Sequence, residues 1–82
     1  MKIYKYKGKK HPEVTRKSYR DYTHVVLLYA GEELVYKSFC GRPDIIQSRI
    51  SQLRSWYEKY LVIYKNYSPN DIQYVVDELE RE

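Results

Sequence analysis

Residues 23–39, THVVLLYAGEELVYKSF, are the most informative segment for the fold because they join the longest apolar run of the chain to a turn and a returning strand. Val25 to Tyr29 is apolar at every position, which is typical of a strand that is buried on both faces. Gly31 and Glu32 suit the two-residue Gly-X turn of a β-hairpin. The sequence therefore predicts a central strand over residues 23–30 and its hairpin partner over residues 34–39.

The segment after the hairpin has the periodicity of a helix. Gly41-Arg42-Pro43 ends the hairpin, and Pro43 suits the first position of a helix. From Asp44 onward, apolar residues recur at spacings of four and three and predict a face that packs on the core: Ile46, Ile50, Leu53, Tyr57 and Tyr60. A second stripe at the flank of this face consists of Arg49, Gln52, Trp56 and Lys59. Trp56 either stacks on a base or a partner side chain, or it closes the edge of the core.

The remaining segments predict three further elements. Ile3, Tyr4 and Tyr6 alternate with lysines, which indicates a short strand at a sheet edge, followed by a loop over residues 8–15. Residues 61–64, LVIY, fit either a fourth strand or a continuation of the helix, and their adjacent β-branched residues favour the strand. Ser68-Pro69 has the pattern of a helix start, which predicts a second helix with an apolar face over residues 72–79.

Together these segments predict an α+β fold in a single domain over residues 1–82. The expected architecture is a small, mainly antiparallel sheet of three or four strands with two helices on one face, in the order βββαβα. The strand and loop within residues 1–20 form a basic N-terminal region.

Charge is distributed very unevenly along the chain. Eight of the first 20 residues are Lys or Arg and one is acidic, whereas the last 15 residues contain five acids and one Arg. Because cations at this density repel one another, folding alone gives no reason to concentrate them. A polyanionic partner gives a reason, and nucleic acid is the commonest one. The alternative is a basic arm that is simply solvated.

Several function classes find little support in the sequence. One cysteine excludes an intramolecular disulfide, and neither histidine has a Cys or carboxylate at metal-ligand spacing, so we expect no metal and no cofactor. No signal peptide or membrane-spanning run is evident, which predicts a soluble cytoplasmic protein. Ser18, Asp21 and His24 could be grouped as a hydrolytic triad, but nothing marks Ser18 as an activated nucleophile. We therefore expect a protein that is not an enzyme.

The basic region contains the residue types that bind RNA. Residues 16–20 interleave cations, a hydroxyl and an aromatic ring, which supply phosphate contacts and a stacking surface. This pattern carries no base-reading code, so selectivity is expected to come from shape or from unpaired bases. The predicted nucleic-acid-binding residues are Lys5, Lys7, Lys9, Lys10, Arg16, Lys17, Tyr19, Arg20, Arg42 and Arg49.

The segment Arg16-Lys17-Ser18-Tyr19-Arg20-Asp21-Tyr22-Thr23-His24-Val25-Val26, with the hairpin and the Gly41-Arg42 turn behind it, resembles small accessory proteins of tailed phages. Size, charge and tyrosine content are similar to those of phage-encoded RNA-binding factors that block a host toxin–antitoxin defence. The resemblance covers residues 16–64 and includes no catalytic motif. It implies a phage protein that acts in the host cytoplasm on RNA, on a host toxin or on an RNA–protein complex.

The sequence is also compatible with two other interpretations. Tyrosine and arginine are favoured at protein interfaces, so the chain could be a protein–protein inhibitor that binds an acidic host protein, or a module that forms a homo-oligomer. The acidic last helix could also lie over the basic arm and neutralise it.

Overall fold

The computed structural model describes residues 1–6 and 14–81, and in this part of the chain it contains six strands and one long helix. The strands are β1 (Lys2–Tyr6), β2 (Val14–Ser18), β3 (His24–Ala30), β4 (Glu33–Cys40), β5 (Ile72–Glu78) and β6 (Glu80–Arg81). The long helix spans residues 43–65 and consists of a 3-10 turn (Pro43–Ile45), α1 (Ile46–Leu53), a π turn (Arg54–Glu58) and α2 (Lys59–Lys65). None of the described helical segments is long and apolar enough to cross a membrane.

The main sheet is built around the predicted hairpin. Its strand order is β4-β3-β5, and both neighbours run antiparallel to β3. Ala30 pairs with Glu33 across a two-residue turn, in which Gly31 has a φ of 64°. Residues with a side chain rarely adopt that left-handed backbone conformation, whereas glycine does so readily. The predicted hairpin and its Gly31–Glu32 turn are therefore confirmed.

The central strand is buried because both faces of the main sheet are covered. Val26 packs with Ile50 and Leu53 of the helix, while the next residue, Leu27, points to the opposite face and packs with Tyr6 of β1. Side chains alternate between the two faces of a strand. The protein thus has three layers, which are the long helix, the main sheet and a small second sheet.

The small sheet has the order β2-β1-β6, with antiparallel pairing throughout. The prediction that the first strand lies at a sheet edge is wrong, since β1 lies between two partners. β2 occupies part of the segment that was expected to be a loop, and residues 8–13 of that loop lie outside the described residues. The sequence hides the alternation of β2 because Arg16, on the face toward the main sheet, is as polar as Thr15 and Lys17 on the outer face.

The helix begins as predicted but extends further. Pro43 is at its first position, and Ile46, Ile50 and Leu53 are buried. The strand predicted over residues 61–64 is wrong, since these residues continue the helix and Leu61 packs against Leu28 of β3. Burial of Leu61 against the sheet outweighs the weak β preference of its branched neighbours.

The second helix predicted from residue 68 is also wrong. Ser68 does accept a hydrogen bond from the backbone N–H of Asn70 (3.3 Å), but the helical turn that it starts stops at Asp71. Strand β5 follows from Ile72 and pairs with the full length of β3. A fully apolar central strand requires a partner on each edge, and residues 72–78 supply the second one.

The α+β class with antiparallel strands is confirmed. The order is ββββαββ instead of βββαβα, with two sheets and one helix in the described residues instead of one sheet and two helices. Among the described residues, the helix covers one face of the main sheet and the small sheet covers the other.

Candidate nucleic-acid interface

A buried tyrosine fixes the bend that follows β2. The Tyr4 hydroxyl donates a hydrogen bond to the carbonyl oxygen of Arg20 (2.8 Å) and accepts one from the backbone N–H of Tyr22 (3.1 Å). Within the bend, the backbone N–H of Arg20 donates to Ser18 Oγ (3.1 Å). Because Tyr4 is almost fully buried, these bonds lie partly out of water and hold the bend in one shape. Tyr19, at the tip, is 79% exposed.

The two faces of the small sheet differ in their surroundings. Tyr4 and Arg16 are direct partners in the β1–β2 register and face the main sheet. Alternation places the next pairs, Ile3 with Lys17 and Lys5 with Thr15, on the outer face. Lys17 is exposed there, beside the bend. The structure therefore places Lys5 and Lys17 on the same outer face.

Arg16 packs on aromatic rings of the main sheet. Its guanidinium carbon lies 5.4 Å from the ring centre of Tyr22 and 5.1 Å from that of Phe39 in β4. The Tyr22 and Phe39 rings are themselves in contact, with centres 5.6 Å apart. Such cation–π contacts contribute about 0.5–1 kcal/mol each at exposed sites. Arg16 thereby joins β2 to the β4 edge of the main sheet.

Arg49 reaches the same strand from the helix. Its Nη1 donates a hydrogen bond to Oγ of the buried Ser38 (2.6 Å). Ser38 and Phe39 are consecutive in β4, so their side chains point to opposite faces of the sheet. Arg16 and Arg49 consequently flank the β4 edge from opposite faces.

The other predicted site residues are distributed as follows. Arg42 Nε pairs with Asp44 Oδ1 (3.4 Å) at the start of the long helix. Lys7, Lys9 and Lys10 lie outside the described residues. Lys17, Tyr19 and Arg20 remain together and exposed at the end of β2, and we call these three residues the β2 surface. Of the predicted residues that the structure describes, Arg42 and Arg49 lie on the long helix or at its start, whereas the three residues of the β2 surface are neighbours.

Acidic groups near the β2 surface have other contacts. Asp21 pairs with the ammonium group of Lys2. Among the described residues, no carboxylate forms a salt bridge with Lys17 or Arg20. Glu80 of β6 lies opposite Lys5 in the β1–β6 register, on the far side of β1 from β2. The acidic C-terminal segment therefore reaches the basic strand as a strand, not as the helix that was expected.

The triad suggested by the sequence is not assembled. His24 Nδ1 lies 2.8 Å from Thr23 Oγ1, and within the described residues no hydrogen bond joins His24 to Ser18. In the same part of the chain, no group of three or more His, Cys, Asp or Glu residues is placed to hold a metal ion. The contacts of Ser18 and Asp21 instead stabilise the bend.

The sequence interpretation assigned one exposed aromatic residue to the core. Tyr60 is 41% exposed, while Leu61 is buried in its place. The π turn in the helix shifts the apolar face so that it follows Leu53, Tyr57 and Leu61 at spacings of four. A regular helical period cannot reveal such a turn, but the four-residue spacing of these three residues was the available signal.

Comparisons with protein-family models, with curated proteins and with solved structures found no match. The functional assignment accordingly depends on the geometry of the molecule.

Proposed function

We propose that this protein binds RNA without catalysis, through the β2 surface. The observation that carries the proposal is the exposure of Tyr19 between two cations, Lys17 and Arg20, on a bend that a buried hydroxyl holds in place. Exposed cations supply phosphate contacts, and an exposed ring supplies a stacking surface for an unpaired base.

The fixed conformation of the bend supports this proposal. A side chain as exposed as Tyr19 adds little to the core, so its packing does not account for its place in the fold. The hydrogen bonds of Tyr4 and Ser18 fix the backbone on either side of it before any ligand arrives. Such preorganisation lowers the entropy that binding would otherwise cost.

Charge neutralisation tests the proposal. We expect Lys17→Gln with Arg20→Gln to weaken binding of fluorescein-labelled single-stranded RNA roughly tenfold, at about 0.7 kcal/mol for each exposed charge pair. Fluorescence anisotropy at low salt measures the affinity. Arg54→Gln is the control for the loss of one positive charge away from the β2 surface, because Arg54 lies over the Tyr74 ring on the β5 side of the molecule. Equal loss of affinity in the control and the double variant would reject the β2 surface as the site.

A second candidate function is a protein–protein inhibitor or a dimerising module. Exposed apolar side chains on α2 favour it, above all Ile63, which is 64% exposed. Sedimentation equilibrium would distinguish the two candidates, because an apolar dimer persists at high salt and after nuclease treatment. RNA binding through exposed cations weakens steeply with salt.

The resemblance to phage accessory proteins extends the proposal to a cellular role. In that role the protein acts in the cytoplasm of a host cell and blocks a toxin–antitoxin or another defence system by binding RNA or an RNA–protein complex. Co-expression with such a toxin tests it: rescue of growth by the wild-type protein, and loss of rescue in Lys17→Gln with Arg20→Gln, is the expected result.

A further inference from the structure

Aromatic side chains line the outer side of the long helix. Trp56 is 53% exposed and Tyr64 is 73% exposed, with Tyr60 between them. The rings form a connected series, with centres 5.2 Å apart for Trp56 and Tyr57, 6.0 Å for Tyr57 and Tyr60, and 5.6 Å for Tyr60 and Tyr64. Three exposed aromatic rings on two helical turns form an apolar surface of the kind that marks a binding site.

The π turn explains why these rings face outward. It keeps Leu53, Tyr57 and Leu61 in line against the main sheet. Trp56 and Tyr60 then fall beside the buried face instead of within it. Single π turns inside α-helices occur frequently at functional sites.

These rings lie on the β4 side of the helix. The Trp56 ring contacts Tyr36 of β4 edge to face, at 6.2 Å between centres. The Tyr57 hydroxyl donates a hydrogen bond to the carbonyl oxygen of Val35, also in β4 (3.2 Å). An open groove of about 420 Å³ follows between β4 and the end of the helix, with Val35 and Tyr60 in its lining. The aromatic side chains thus border the edge strand, where the outer backbone groups of β4 have no neighbouring strand in the described sheet.

The charges around the rings are mainly positive. Lys59 is exposed one helical turn from Trp56, and Lys65 Nζ lies 6.0 Å from the Tyr60 ring centre. Arg49 is placed at the other end of the series by its bond to Ser38. We call Arg49, Trp56, Lys59 and Tyr60 the helix surface.

The acidic groups of this region are placed elsewhere or already bonded. Glu58 lies on the β5 side, where it raises the pKa of Tyr74 after the larger effect of burial. Glu33, at the far end of the groove, accepts a hydrogen bond from the Tyr67 hydroxyl (3.3 Å). A neutral protein partner would leave these cations without counter-charges, whereas a polyanion with flat apolar groups matches both the cations and the rings.

We infer that the helix surface binds single-stranded RNA, with unpaired bases stacked on Trp56 and Tyr60 and phosphates paired with Arg49 and Lys59. This inference deepens the proposed function and rests on it. Stacking accepts the face of any base, so binding here requires unpaired bases and not a particular sequence.

The β4 edge connects the helix surface to the β2 surface. Arg16 flanks this edge on the face of the small sheet, and Arg49 flanks it on the face of the helix. Packed layers are about 10 Å apart, and the main sheet lies between the helix and the small sheet, so an RNA strand that contacts both surfaces has to cross roughly 20 Å.

Trp56 is the one tryptophan of the chain, so its fluorescence reports on this surface without any substitution. The experiment titrates the protein with oligouridylate and follows Trp56 emission, while anisotropy of labelled oligouridylate measures binding independently. We expect Trp56 emission to be quenched in parallel with binding, because a stacked base contacts the indole ring. A duplex of the same length should leave the emission unchanged, since its bases are not available for stacking.

Substitutions give the second measurement. Trp56→Ala should weaken oligouridylate binding by roughly 5- to 150-fold, and Trp56→Phe should retain most of the affinity because it keeps a ring. Ile63→Ala is the matched control on the same helix, since it removes an exposed apolar side chain that cannot stack. Thermal unfolding followed by circular dichroism checks that each variant folds.

The outcomes separate this inference from the proposed function. Binding by the wild-type protein without Trp56 quenching, and with unchanged affinity in Trp56→Ala, would overturn the helix surface and leave the β2 surface standing. Failure of the wild-type protein to bind RNA would overturn the proposed function itself. A shift of Trp56 emission with protein concentration alone, together with a dimer in sedimentation, would show that the helix surface binds a second copy and would overturn the inference.

Discussion

Replacement of Tyr4 by Phe tests whether one buried hydroxyl holds the β2 surface in place. The substitution keeps the ring, which lies edge to face against Tyr22 at 5.4 Å, and removes only the oxygen. Two hydrogen bonds are lost, and the backbone N–H of Tyr22 and the carbonyl of Arg20 each lose their bond to that oxygen. At about 1 kcal/mol for each bond, the free energy of unfolding should fall by about 2 kcal/mol.

This change is large for a chain of this size. A domain of 82 residues has a free energy of unfolding of roughly 4–12 kcal/mol, so the melting temperature should fall by about 8–16 °C. Urea unfolding followed by circular dichroism measures the difference. Tyr19→Phe is the matched control, because its ring is exposed and the same chemical change there should alter stability by less than about 0.5 kcal/mol. If both variants stay within that margin of the wild-type protein, the bend is not held by Tyr4.

Three further results are expected. Cys40 should react slowly with a thiol reagent in the folded protein and rapidly in denaturant, because burial raises the pKa of its thiol. Rapid labelling of the folded protein would contradict this expectation. Gly41→Ala should destabilise the protein by about 1–3 kcal/mol, because the Cβ of the new alanine would lie 2.9 Å from the carbonyl oxygen of Asp21. Urea unfolding measures the change, and an unchanged midpoint would show that the backbone shifts without cost. Glu80→Gln should raise RNA affinity at low salt by up to about fivefold, because Glu80 lies opposite Lys5 and its negative charge offsets the charge of that lysine. Fluorescence anisotropy measures the affinity. An unchanged affinity would show that Glu80 does not offset the charge of Lys5.

The sequence predicted the hairpin and the start of the helix because local chemistry decides both. Gly31 permits the turn, Pro43 suits the first helical position, and a short apolar run such as Val25–Tyr29 next to a turn is typical of a buried strand. In these segments, turn chemistry, residue periodicity and tertiary packing all favour the same structure. Agreement between local and global preferences is what makes a prediction from sequence succeed.

The errors lie where two periodicities fit the same residues. Ile72 and Val76 are four residues apart, as on one face of a helix, but they are also an even number apart, as on one face of a strand. Residues 72–78 form a strand because β3 needs a partner on its second edge, and this need becomes apparent only in the assembled sheet. Leu61 shows the converse, since its contact with Leu28 extends the helix through residues with a β preference.

The candidate site was predicted in composition but not in arrangement. Lys17, Tyr19 and Arg20 are adjacent in sequence, so their proximity follows from the chain itself. Arg16 and Arg49 both contact β4, one on each face, because Phe39 and Ser38 point to opposite faces of that strand. Contacts between residues far apart in sequence depend on register and layer order, which composition does not encode.

The salt dependence of RNA binding shows whether Lys17 and Arg20 contact phosphate groups. For single-stranded RNA, a plot of the logarithm of the association constant against the logarithm of salt concentration has a slope of about −0.7 for each phosphate contact. We expect the slope to become less negative by about 1.4 when Lys17 and Arg20 are both changed to Gln, because two contacts are lost. An identical slope in the two proteins would show that the β2 surface does not contact phosphate, and no binding by the wild-type protein would contradict the account as a whole.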